Sequence, residues 1–220
     1  MTNTPCTEGI KPEFEPYAEA IHGLRKAGEQ FWTRGWSLGT SSNYSAVVSR
    51  SPLQLLVTAS GKDKGHLGVN DFVIVDEFGK PTFSGQPKSS AETLLHCLAA
   101  KNGAGSVLHT HSVWCTLLSD HFGPLGGIRI SGFEMLKGLE GITTHEASVW
   151  LPIFDNTQDI PSLVVKVEEY LAAHPNEKCW GYLIRKHGMY TWGKDIAEAT
   201  RHIEILEFLL ECLGRSTKLV

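Results

Sequence analysis

The 220-residue chain has a formal net charge of −4, a pI near 6.2 and 41% apolar residues, a balance and length that one continuous core can satisfy, so a single domain over residues 1–220 is expected. No apolar run approaches a membrane span, the first twenty residues have neither a basic start nor an apolar stretch, and Lys and Arg are scattered. Membrane insertion, secretion and nucleic-acid binding are thereby excluded, and a cytoplasmic location is expected.

Five cysteines, Cys6, Cys97, Cys115, Cys179 and Cys212, are odd in number and never spaced as Cys-x-x-Cys, which argues against a disulfide framework or a thiolate metal site. Cys97 and Cys115 lie in apolar stretches and read as small buried hydrophobes.

In chain order, Tyr17, Ile21, Leu24 and Phe31 recur at helical spacing up to a stop at Gly35. Strand-like runs follow at Tyr44 to Ser49, Leu53 to Thr58 and Asp71 to Asp76, separated by Ser-Pro, Ser-Gly and Phe-Gly-Lys-Pro turn signals. A helix is predicted from Ser89 to Asn102-Gly103, then a strand from Ser106 to His111. Further on come a strand-like run at Ala147 to Phe154, a helix at Ser162 to Ala172 and a strand at Gly181 to Arg185. Lys186-His187-Gly188 then turns into Met189 to Trp192. Ile196, Ala199, Ile203, Leu206 and Leu210 mark one apolar face of a closing helix. Strands outnumber clean β-α-β units, so the reading is an α/β fold with a mixed, mainly antiparallel sheet flanked by helices rather than a dinucleotide-binding fold.

Residues two apart in a strand share a face, so His109 and His111 present two imidazoles side by side. Such a pair alone more often makes ordinary hydrogen bonds. A catalytic zinc site needs a third protein ligand and an open position, and His187, in a turn and followed by Gly188, is the best candidate. Imidazole ligands also suit iron, cobalt or nickel. The remaining histidines, His22, His66, His96, His121, His145, His174 and His202, read as solvated or core-satisfied, with His96 the least settled.

Three hydroxyl-rich segments precede the histidine strand. Gly39 to Asn43 offers Ser41, Ser42 and Asn43; Thr58 to Lys62 offers Ser60 and Gly61; Lys88 to Ser90 offers Ser89 and Ser90 at a predicted helix N-terminus. Each alone is more often an ordinary loop or cap, but together they suit the phosphate of a small substrate. Glu92 follows Ser89 by three positions and fits both a capping box and proton transfer. Glu134 has an ordinary explanation as the i+3 partner of Lys137.

The ordered set of Gly-Thr-Ser-Ser-Asn, Thr-Ala-Ser-Gly-Lys, Pro-Lys-Ser-Ser-Ala-Glu, His-Thr-His-Ser and the late Lys-His-Gly resembles the class II aldolase/adducin family, from about Leu24 through the last helix. The resemblance implies a three-layer fold with a central mixed, mainly antiparallel sheet. It further implies His109, His111 and His187 as ligands of one zinc ion per subunit, a sugar phosphate as substrate, and a homotetramer with active sites near subunit interfaces. Gly103 to Ser112 and Phe133-Glu134-Met135-Leu136-Lys137-Gly138 are most similar to the branch that removes water from a phosphorylated ketopentose, where the corresponding glutamate is the acid/base; this carries over to Glu134. In the aldolases of the family a Ser-Ser-Glu glutamate does that work. Here Ala91 intervenes, leaving Glu92 as a secondary acid/base candidate. Aldolase or epimerase chemistry is the alternative, and a non-catalytic adducin-like module a third reading that the three histidines disfavour.

Overall fold

Apolar residues at spacings of three and four form helices and alternating ones form strands in the computed structural model, which describes residues 9–217. Cys6 therefore lies outside the described residues. Helix α1 (Ala18–Thr33) buries Ile21, Leu24 and Phe31 and is followed by Gly35, whose φ of +77° turns the chain. Strands β1 (Asn43–Arg50), β2 (Leu53–Thr58) and β3 (Phe72–Asp76) come next. Helix α2 (Thr93–Lys101) leads into β4 (Ser106–Thr110), α3 (Val113–Phe122), β5 (Gly127–Ser131) and β6 (Ser148–Phe154). The chain ends with α4 (Ile160–Ala173), β7 (Gly181–Ile184), β8 (Gly188–Gly193) and α5 (Ile196–Ser216).

The strands form an eight-stranded sheet in the order β3-β2-β1-β4-β8-β7-β6-β5, antiparallel throughout except between β6 and β7. Alternation along each strand sorts the core into two layers. Leu56, Leu108 and Met189 pack with α1, α3 and α5. Their chain neighbours Leu55, Val57, Val107 and Tyr190 join clusters formed with α2 and α4. The result is the α/β/α arrangement that the resemblance implies. Cys97 and Cys115 are buried. No helix among the described residues is long and apolar enough to cross a membrane.

Three elements differ from the sequence reading: strand β5 and helix α3 are unmarked by it, and α2 begins later. Helix α3 is unmarked by it because Val113, Trp114 and Thr116 are poor helix formers; its start is set by Ser112, whose hydroxyl accepts from the Cys115 N–H at 3.0 Å. Helix α2 begins at Thr93, not Ser89. Ser89 instead forms a bridge with Ala59, and the Ser60 N–H donates to the Lys88 carbonyl at 2.9 Å. Pulling this segment against the loop after β2 removes Ser89 from the helix, so the capping box does not form.

The free edge of β3 is occupied locally. Val75 bridges to Pro81, Thr82 N–H donates to the Ile74 carbonyl at 3.0 Å, and the Gln86 side-chain amide accepts from Ile74 N–H at 2.6 Å while donating to its carbonyl at 3.0 Å.

At the entrance to β4, Gly105 donates to the Gly193 carbonyl and accepts from Val47 N–H, both at 2.8 Å, and a Cβ there would collide with the Lys194 carbonyl. Gly105→Ala is therefore expected to destabilise the fold by roughly 1–3 kcal/mol through overpacking against backbone. Urea unfolding measures this, and an unchanged midpoint would show that the β8–α5 connection yields freely.

Candidate metal centre and its carboxylate

The antiparallel pairing of β4 with β8 sets His109 opposite Tyr190, and the β7–β8 turn, with Lys186 at φ +54°, carries His187 back to the end of β4. One potential ligand atom from each of His109, His111 and His187 lies within 4.8 Å of the others, and the ring centroids are 4.5 to 5.0 Å apart. His109 is fully buried, and its Nδ1 donates to the Met189 carbonyl at 2.9 Å. A carbonyl can only accept, so the proton sits on Nδ1 and Nε2 is left as a lone pair. That lone pair is 2.7 Å from His111 Nε2. Gly188 permits this approach: a Cβ there would meet the Thr110 carbonyl and crowd both His109 and His111.

Burial, reinforced by the mutual repulsion of the imidazoles, pushes His109 well below its ordinary range and His111 down to about 4. Neutral imidazoles with converging nitrogens form a donor set that fits a divalent metal ion. The His109–Met189 bond is the kind of outer contact that orients such a ligand.

Glu92 stands at the N-cap of α2 without a capping bond to the helix. Its carboxylate reaches His109 Nε2 at 3.5 Å and His187 Nε2 at 3.4 Å, and accepts from the Asn43 side-chain N–H at 2.8 Å. The Ser90 hydroxyl accepts from the Glu92 N–H at 3.2 Å and so performs the local turn role that the sequence suggested for Ser89.

Glu134 lies elsewhere. It opens the 3-10 segment Glu134–Gly138 after β5, an edge strand four places from β4 in the sheet order. The side chain is 71% exposed, accepts from Lys137 Nζ at 2.6 Å and faces His145 at 3.7 Å. The Lys137 hydrogen bond holds its carboxyl below the usual glutamate range.

The hydroxyl-rich segments converge. The Ala59–Ser89 bridge sets Ser60 and Gly61 beside Ser89 and Ser90, and the Asn43 amide donates to the Ser90 hydroxyl at 3.3 Å. The Ser42 hydroxyl is buried with no partner among the described residues, whereas the Ser41 hydroxyl donates to the Leu38 carbonyl at 2.7 Å. Lys64, fully buried, donates to the carbonyls of Lys62 at 2.6 Å and Thr40 at 3.4 Å, tying the first two loops together.

Sequence reasoning missed three neighbours of the histidines. Tyr190 stacks on His109 at 4.0 Å, a contact that only strand pairing reveals. Glu207, on the apolar face of α5, is buried behind β4 and accepts from the hydroxyl of Thr110 at 3.0 Å and the thiol of Cys115 at 3.4 Å; burial lifts its carboxyl to about 7. A glutamate four residues after Ile203 in an apolar stripe was its available signal. Lys64 carried none.

Comparison with known proteins gives a consistent outcome. The pattern of the family described as "Class II Aldolase and Adducin N-terminal domain" matches residues 22–213. Among curated relatives, "Methylthioribulose-1-phosphate dehydratase" of Marinobacter nauticus is 44% identical over 198 residues, covering 89% of this chain and 93% of the relative. The protein of the same name from Pseudomonas aeruginosa is 49% identical over 190 residues, covering 84% and 89%. Among solved structures, L-fuculose-1-phosphate aldolase from Thermus thermophilus superposes with a TM-score of 0.70 at 22% identity, covering 90% of this chain and 94% of that one. A sugar-phosphate aldolase from Thermotoga maritima gives 0.62 at 20%, covering 90% and 95%. At these identities the structural likeness concerns the fold.

The buried imidazoles make ion-free stability depend on pH. His96 is pushed down to about 3 and His111 to about 4, with His109 also well below the ordinary value near 6.5. Below that value the unfolded chain binds protons that the folded chain refuses, so their contribution is complete above about pH 6.5 and lost as pH falls toward 4. Glu207 acts in the opposite sense, one carboxyl against three imidazoles. The melting temperature of chelator-treated protein should fall steadily from pH 6.5 to 4; a flat profile would overturn the neutral-imidazole description.

Proposed function

The chain belongs to the class II aldolase and adducin family, and from that premise we propose that it dehydrates 5-methylthioribulose 1-phosphate to 2,3-diketo-5-methylthiopentyl 1-phosphate, a step of methionine salvage, in the cytoplasm. The observation that carries this reading is the convergence of His109, His111 and His187 with a carboxylate beside them. It is supported by curated relatives of that name at 44% to 49% identity over most of the chain.

His109, His111 and His187 would hold one zinc ion per subunit, and when bound the ion supplies Lewis acidity toward the substrate's C2 and C3 oxygens. The chain's own groups do the rest. Dehydration removes the C3 proton, expels the C4 hydroxyl as water with one added proton, and returns a proton to C4 as the resulting enol becomes the 2,3-diketone. Ser41, Ser42, Ser60, Gly61, Ser89 and Ser90 would receive the C1 phosphate, with backbone N–H groups and hydroxyls as donors. The Ser42 hydroxyl, with no protein partner among the described residues, suits this role best.

We assign proton transfer to Glu134, with Glu92, whose carboxylate lies against His109 and His187, as a secondary acid/base candidate. The exposure of Glu134 is accommodated by a homotetramer in which the residue serves a site completed across a subunit boundary. Aldol cleavage of a related sugar phosphate is the second reading, favoured by the position of Glu92 next to the histidines.

Purified protein given methylthioribulose 1-phosphate should form the diketone, lose activity with a chelator and regain it with zinc. Three-carbon or two-carbon fragments in place of the diketone would establish the second reading. Glu134→Gln should leave metal content and melting temperature near wild type and lower kcat by about 100-fold or more. Normal turnover by Glu134→Gln, with Glu92→Gln inactive, would move the proton transfers to Glu92 alone.

A further inference from the structure

His96 is fully buried in α2, and neither the metal-binding trio nor the phosphate loops account for it. Its two ring nitrogens are both engaged. Nδ1 is 2.8 Å from the Ser45 hydroxyl, and Nε2 makes a short hydrogen bond to Asn43 Oδ1. Asn43 and Ser45 are two apart on β1, so the pleat turns both toward α2, while Tyr44 between them points to the other layer and meets Ser37.

The donor directions follow from the chemistry of each group. Asn43 Oδ1 can only accept, so His96 carries its proton on Nε2 and its Nδ1 accepts from the Ser45 hydroxyl. With Oδ1 held by His96, the Asn43 NH₂ faces the other way, donating to the Glu92 carboxylate at 2.8 Å and to the Ser90 hydroxyl at 3.3 Å. A flipped amide would set its carbonyl oxygen against the Glu92 carboxylate, so the contact with Glu92 fixes the orientation of the amide and with it the His96 tautomer. The Tyr190 hydroxyl is buried in the same pocket, facing Glu92 and Asn43, and its ring lies against both His96 and His109.

We propose that His96 is a positioning residue of the site, which through a buried Ser45–His96–Asn43 chain fixes the Asn43 amide and thereby holds the Glu92 carboxylate against the histidine trio. It touches neither substrate nor metal and acts only through Asn43. The chain also commits the Asn43 side chain to the protein, so Asn43 contributes to phosphate binding only indirectly, by orienting Ser90. Burial pushes His96 down to about 3, in keeping with a neutral ring that relays orientation rather than charge. The inference rests on the proposed function in one respect, that Glu92 takes part in turnover.

Two arms keep the two readings separable. In protein labelled with nitrogen-15 at histidine, the His96 ring is expected as the neutral Nε2–H tautomer from pH 5 to 8, whether or not the protein turns over any substrate. A Nδ1–H tautomer, or titration within that range, would overturn the chain. The second arm is kinetic. A glutamine at this position can place an amide N–H near the site of Nε2 and restore the bond to Asn43, whereas an asparagine reaches only the position of Nδ1 and restores the bond to Ser45. His96→Gln should therefore keep kcat within about 3-fold of wild type, while His96→Asn loses about 10-fold or more, both with KM and metal content near wild type. Equal activity of the two variants, or a larger loss in His96→Gln, would overturn the proposal. If neither variant folds, the tautomer measured in wild type decides it. Absence of activity in wild type defeats the proposed function and leaves the tautomer result standing.

Discussion

Between β4 and β8 the His109 imidazole donates from Nδ1 to the Met189 carbonyl, and this bond decides which of its nitrogens is left as a lone pair. The acceptor is backbone within the sheet, so the tautomer is held by the fold and not by a mobile side chain. His111 and His187 then need only arrive on the correct side. His111 does so because its N–H donates to the Trp36 carbonyl at 2.8 Å just beyond β4, and His187 because the β7–β8 turn closes there. Burial holds His109 and His111 below the ordinary histidine range, and among the described residues the carboxylate set against His109 and His187 is that of Glu92.

The layering explains why the acidic partner comes from α2. Alternation along β1 sends Tyr44 to the layer of α1 and sends Asn43 and Ser45 to the layer of α2, so the polar residues of one strand meet the helix that bears Glu92 and His96. On the opposite side, Glu207 of α5 accepts from Thr110, the residue between the two strand histidines. The end of β4 is thus braced from both layers: His109 through the carboxylate and amide of one, Thr110 through the buried carboxyl of the other.

Local pattern was enough to read most strands, the helices α1, α4 and α5, and the histidine pair, because each is written in spacing over a few residues. His187 could be chosen from its turn and the following glycine. Local pattern left Glu92 open between a capping box and proton transfer. Ser89 and Glu92 have the spacing of a capping box, yet the bridge between Ala59 and Ser89, two segments distant in sequence, delays the helix and frees the carboxylate for the site. Tyr190 carried no signal, and His96 was singled out as unsettled without its partners: one is placed by strand register and the other by packing of a helix on a sheet, neither of which leaves a short-range signature. For Glu134 the ordinary pairing with Lys137 that the sequence suggested is present, and the resemblance alone assigns it chemistry.

The amide of Gln86 occupies the outer rim of β3, accepting and donating at Ile74 much as an adjoining strand would, with Thr82 and Pro81 completing the cover. An open rim of this kind otherwise offers a template on which a foreign chain can polymerise. By filling that ladder with its own side chain, the protein blunts one terminus of the sheet against runaway stacking. A strand arriving along Ile74 would find both of that residue's backbone groups already engaged.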